Sequence, residues 1–259
     1  MKAGPGKSVL AARKAASLAI AVAAIAALWS AAAAALGKPF LPGPSATFAA
    51  FGRLAADGSL GRHAAASAGR VLWALAASFF PAAALGLAAG RSRRVDAVVA
   101  PVVYVLHPLP KVAFLPIIML VFGLGEASKI ILVALIVFSQ ILVAARDAAR
   151  RIPRPLVDSV RSLGASRLGL ALRVVVPSAL PDLLTSLRVS LGTAVAVLFL
   201  AETFATETGL GYLIVDAWAR VAYAEMYAGI VALSLLGLGF FVAVDLAERL
   251  LCPWRDLEG

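Results

Sequence analysis

Six apolar runs, each long enough to cross a bilayer, leave this chain few ways to fold. A helix rises about 1.5 Å per residue and needs roughly 17–25 predominantly apolar residues to traverse hydrocarbon. Residues 15–36, 67–90, 97–123, 129–145, 187–206 and 226–246 have that length and character. Inside lipid no water satisfies a backbone N–H or C=O, so each run is expected to be a helix. The expected fold class is therefore all-α: a polytopic membrane protein with about six transmembrane helices.

The remaining composition agrees. Hydrophobic residues make up 62% of the chain and charged residues 15%, against about 25% charged in soluble domains. A net charge of +10 raises the question of nucleic acid, but such binders gather Lys and Arg on one soluble face. Here the basic residues sit between apolar runs, as Arg91, Arg93 and Arg94, and again as Arg146, Arg150, Arg151 and Arg154. That placement sets membrane orientation. Most of the 24 Lys and Arg fall in segments that share a side when both termini are cytoplasmic. The boundaries expected are a cytoplasmic segment over 1–14, a membrane domain over 15–250 with a cytoplasmic loop at 146–186, and a cytoplasmic tail over 251–259. The first run has the basic start of a signal peptide, but it exceeds a signal core of about 7–15 residues, which favours a retained span.

Prolines and glycines punctuate the rest. Pro39, Pro42, Gly43 and Pro44 forbid helix after the first run, and residues 45–56 can form an amphipathic surface helix. In the second run Pro81 and Gly86 are tolerable where neighbouring helices cover the backbone. Pro101, Pro108, Pro110 and Pro116 prevent the third run from being one straight helix. Either 95–107 lies along the cytoplasmic face and 112–123 is a short span, or a broken helix crosses whole. The first arrangement puts Lys111 near the inner surface, where charge costs less, and is preferred.

The longest polar insertion is DSVRSLGASRLGLALRVVVPSALP, residues 158–181. Pro153 and Pro155 end the preceding helix. Leu156, Val160, Leu163 and Arg167 then recur at helical spacing, Gly164 interrupts, and a second helix over 165–176 is expected to end as Pro177 and Pro181 turn the chain back to the membrane. Leu156, Val160, Leu163, Leu168, Leu172 and Val175 give this helix–Gly–helix finger apolar surface that something must cover.

The finger resembles the signature loop of binding-protein-dependent ABC importer permeases: Glu-Ala-Ala, three residues, Gly, nine residues, then Ile-x-Leu-Pro. Asp158-Ser159-Val160 stands for the opening triplet, Gly164 follows after three residues, and Val174-Val175-Val176-Pro177 follows after nine. The departures keep charge and apolarity. LPGPSATF at 41–48, HPLPKVAFLPIIMLVFGLGEASK at 107–129 and AETFATETGLGYLI at 201–214 resemble the nitrate, sulfonate and taurine branch. The resemblance implies a multi-pass permease subunit of a bacterial inner membrane, moving a small solute such as nitrate, a sulfonate, taurine or a vitamin precursor by alternating access. It implies two cytoplasmic ATPase subunits, a periplasmic or lipoprotein binding protein and a second copy of the chain as partners. ATP is implied to be used by the ATPase subunit, with no cofactor bound here. Leu156, Asp158, Val160, Leu163, Gly164, Ala165 and Pro177 are the coupling residues that this resemblance picks out.

Elsewhere the residues speak less directly. Glu202 stands inside the fifth run, where a carboxylate is expensive, and is either a gate or a structural acid held by Thr203, Thr206 or a neighbouring helix. With Gln140, these form the candidate path. Glu207, Gly209, Gly211 and Asp216 in the outer loop are the candidates for docking the binding protein. Gly6-Lys7-Ser8 echoes a phosphate-binding loop, but Met1 occupies the position of its first glycine and no strand precedes it. His63 and His107 are too isolated to argue for metal, and no catalytic constellation is present. The rival reading is a self-contained secondary transporter or channel, for which inverted repeats and several intramembrane charges are expected.

Overall fold

The apolar runs become helices at the lengths the bilayer demands. The structure is a computed structural model and describes residues 7–106 and 108–254. Among these, five helices are long and apolar enough to cross a membrane, or six if one bent pair counts as a span. They are α1 (Lys7–Leu36), α3 (Ser59–Arg91), α6 (Glu126–Arg151), α9 (Val176–Glu202) and α11 (Tyr223–Leu251), with α4 (Arg93–Leu106) and α5 (Leu115–Phe122) as the bent pair. Shorter helices lie between them: α2 (Pro44–Ala56), α7 (Arg154–Ser162), α8 (Arg167–Leu170) and α10 (Leu210–Ala219). Gly6, His107 and the tail from 255 onward lie outside the described residues; Lys7 and Ser8 open α1.

The centre of the bundle is α3 laid against α6, with α9 packed on α6 and also touching α3. Small residues let the first pair approach closely. A Cβ on Gly86 would stand 2.5 Å from the Leu142 carbonyl, and one on Gly90 2.4 Å from the Arg146 carbonyl. This Gly-x-x-x-Gly pattern exchanges side-chain bulk for backbone contact, the usual route to tight packing where lipid supplies no hydrophobic drive. Leu132, Val133, Val137, Ile141 and Ala145 of α6 are buried against Val71, Ala74, Leu191 and Leu198.

The third run is broken, as its prolines require. Its two halves, α4 and a 3₁₀ turn (Lys111–Phe114) leading into α5, are bent by 85°. A near-right-angle bend accommodates a helix lying along the face joined to a short span, and the bent pair also has the length and apolarity of one broken span. Lys111 shares a cavity with Leu135, Phe138 and Leu142 of α6.

One expectation needs correction: Pro177 and Pro181 do not turn the chain. Helix continues from Arg167 through a π-helical stretch (Ala171–Val175) to Glu202. Each proline removes one helical donor and pushes on the carbonyl four residues earlier. The wider π turn immediately before Pro177 gives that ring room. The fifth span consequently begins twenty residues before 187.

Candidate functional site

Two regions concentrate polar or unpartnered groups, one at each end of the bundle. The finger is built first by termination: Ile152, preceding Pro153, adopts the extended backbone that proline imposes on its neighbour, which closes α6. α7 begins with Pro155 in its first turn, where the missing N–H costs nothing. It ends at Leu163, and Gly164 follows at φ +81°, in the left-handed region that favours glycine. Ser166 then caps α8, its hydroxyl accepting from the Gly169 amide at 3.1 Å.

The apolar surface of the finger is divided between the bundle and the outside. Val157 is buried with Ala149, Ile152, Val174 and Val175, and Val160 packs against that cluster. Leu156 is instead exposed, as are Leu163 at 87%, Leu168 at 69% and Leu172. Asp158 is exposed and Ala165 and Pro177 are half-buried. The finger is thus anchored by Val157 and displays leucines outward. Between it and the end of α3 lies a cleft of about 630 Å³, lined in part by Leu87, Arg91, Arg161 and Arg167.

The opposite end holds a buried polar knot. Arg70, a turn beyond Ser67 on α3, is only 1% exposed, and each of its five N–H bonds has an acceptor. Nε and Nη2 meet the two oxygens of Glu126 at 2.5 Å. Nη1 donates to Glu202 at 2.6 Å and to the Thr208 carbonyl at 2.9 Å, and Nη2 also reaches Thr208 Oγ1 at 2.8 Å. Glu202, fully buried, accepts further from Ser67 Oγ and the Gly211 amide, both at 2.8 Å. Ser67 accepts from the Leu210 amide, and His63 Nδ1 accepts from the Gly209 amide. Lys129, also buried, donates to the carbonyls of Leu124, Gly125 and Ala205. Arg70 thus meets both carboxylates and Lys129 is held by three carbonyls; hydrogen-bonded pairing is the condition under which buried ions are tolerable.

This arrangement reassigns several residues. Glu202 is held by a neighbouring helix, not by Thr203 or Thr206, whose hydroxyls donate to the Leu200 and Thr208 carbonyls. Gln140 bonds Thr193 at 3.4 Å, about 13 Å along α9 from Glu202, so the candidate path residues do not converge. Gly209 and Gly211 are buried. A Cβ on Gly209 would lie 2.4 Å from Glu202 Cδ, and one on Gly211 2.7 Å from Glu202 Cβ, so these glycines admit the carboxylate. Glu207 is exposed, and Asp216 pairs with Arg220 at 2.9 Å. Sequence reading passed over Arg70, Glu126 and Lys129. A charge within an apolar run needs a partner, and that rule applied to Arg70 would have exposed the knot.

Residues 82–256 match a family described as the binding-protein-dependent transport system inner membrane component. The taurine transport system permease protein TauC of Escherichia coli is 33% identical over 77% of this chain and 72% of its own length. The putative aliphatic sulfonates transport permease protein SsuC of the same organism is 33% identical over 85% and 84%. Its Bacillus subtilis namesake is 32% identical over 83% and 78%.

Proposed function

This chain belongs to the family of binding-protein-dependent transport system inner membrane components, and we propose that it is the permease of an ATP-driven importer for taurine or a related small sulfonate. It is a multi-pass inner membrane protein and an ABC transporter permease subunit, with ATP hydrolysis in a separate subunit and a binding protein in the same system. The finer reading is that the finger lies in the cytoplasm with both termini, that two copies form the path, and that the finger docks on the ATPase.

The observation that carries the coupling role is the outward display of Leu163 and Leu168 on a finger rigidly seated through Val157. Exposed leucines outside the bilayer call for a protein partner. The helix leaving the finger runs unbroken for 36 residues from Arg167 to Glu202, roughly 54 Å. Finger movement driven by ATPase closure would therefore reach the knot along one rod, a route between two packings of the bundle. Glu207 and Asp216, on the far side, face the binding protein.

Co-purification with the ATPase encoded alongside tests the finger. The wild type retains the ATPase and Gly164→Asp, at a left-handed position, releases it; undiminished retention by that variant overturns the assignment. The substrate is tested by calorimetry on the partner binding protein with taurine, alkanesulfonates and nitrate, where preference for nitrate would reject the sulfonate reading.

A further inference from the structure

At the finger end, α3, α4 and α6 enclose two cavities that lie along one seam and have opposite chemistry. The first, about 370 Å³, is walled by Arg91, Arg93, Arg150 and Arg154, with Asp96 as the carboxylate in its lining. Asp96 is committed: it accepts from Arg146 at 2.5 Å and from Arg150. The pocket keeps an excess of positive charge. The second, about 410 Å³, lies farther from the finger along α6 and presents mostly apolar surface, from Leu85, Val98, Val102, Leu106, Leu135 and Leu142, with Lys111 and Ser139 also at its wall. On α3 the two are one turn apart, from Leu85 to Ala89, and on α6 about two turns, from Leu142 to Arg150. Val98 and Val102, on the wall of the groove, are exposed at 69% and 52%.

We propose that this seam binds an anionic phospholipid, the phosphodiester among Arg91, Arg93 and Arg154 and one acyl chain in the groove between α4 and α6. A basic pocket between membrane helices recognises phosphate-bearing headgroups through charge and through the forked donors of arginine. A free phosphate would need the arginines but not an apolar groove beside them. An acidic segment of a partner protein would likewise leave the groove unused. The lipid also explains why the seam is built around Asp96. One carboxylate orders Arg146 and Arg150 between α4 and α6, while the remaining arginines stay available to a ligand. The site borders the finger, since Arg154 opens α7, but it uses none of the coupling residues, and its failure would leave the coupling reading untouched.

The test is native mass spectrometry of the delipidated full-length permease, incubated with phosphatidylglycerol, phosphatidylcholine or inorganic phosphate. The expected result for the wild type is phosphatidylglycerol retained about tenfold over phosphatidylcholine, a comparison that requires no variant. Arg91→Gln with Arg154→Gln should bring the two lipids to parity. Val102→Trp, which fills the groove, should weaken both lipids alike. Equal retention of the two lipids by the wild type overturns the proposal. So does phosphate that competes as well as phosphatidylglycerol, which would mark a free-anion site. Loss of the lipid whenever the ATPase subunit is bound would also overturn it, assigning the arginines to a protein contact.

Discussion

The knot around Arg70 and the finger around Leu163 both gather polar residues at an end of the helix bundle, yet they end in opposite states. At the knot, Arg70, Glu202 and Lys129 are buried and every donor of Arg70 is occupied by groups of the same chain. At the finger, Leu156, Leu163, Leu168 and Leu172 point away from the bundle, and Val157 alone of α7 is buried. Charge buried near lipid has to be neutralised within the molecule, since nothing outside can do it. Exposed apolar surface in water can wait for a partner. The difference separates a region whose charges are satisfied within the chain from one whose apolar surface is left uncovered by it.

The largest test of this contrast is Arg70→Met. It strands Glu202 without its cation and should cost about 3–5 kcal/mol, read as thermal or denaturant unfolding in detergent. Arg70→Met combined with Glu202→Met should recover much of that loss, because an apolar pair leaves no charge unpaired. If the single variant costs less than about 1 kcal/mol, the knot is not what fastens α3, α6 and α9.

Gly209→Ala comes next, at about 1–3 kcal/mol by the same measurement, from a φ of +115° and a Cβ placed 2.4 Å from Glu202. A neutral result would place Gly209 in docking rather than in packing. At the finger, Leu163→Ser should alter the stability of the isolated permease by no more than about 0.5 kcal/mol, while reducing ATPase retention. A substantial loss of stability there would erase the contrast. The smallest effect concerns Cys252, which is buried at the end of α11. Burial pushes its thiol up, so at neutral pH the thiolate is scarce and maleimide labelling of native protein should be slower than after denaturation.

What could be read from the residues depended on the range of the forces involved. The apolar runs were legible because bilayer thickness sets their length, and the break at Gly164 because a left-handed residue favours glycine. Helical spacing groups Leu156, Val160 and Leu163 on one side of the finger but does not show what seats it; only the cluster of Ala149, Ile152 and Val175 picks out Val157. Pro177 and Pro181 looked like stops because local rules take no account of a π turn that relieves them. Gly209 and Gly211 are docking candidates by their place in the outer loop, whereas their lack of a side chain makes room for Glu202.

By itself, then, the sequence determined an all-helical membrane protein, the approximate spans, and a glycine-to-proline finger of recognisable spacing. Each of these follows from interactions between residues close in the chain or between the chain and its solvent. Tertiary structure alone decided that Arg70 meets Glu126 and Glu202, 56 and 132 residues away. It also gathered Arg91, Arg93, Arg150 and Arg154 around one pocket next to an apolar groove. Long-range pairing depends on which helices pack together, and helix packing in a membrane is set by shape and small residues, not by any periodic pattern that the chain displays.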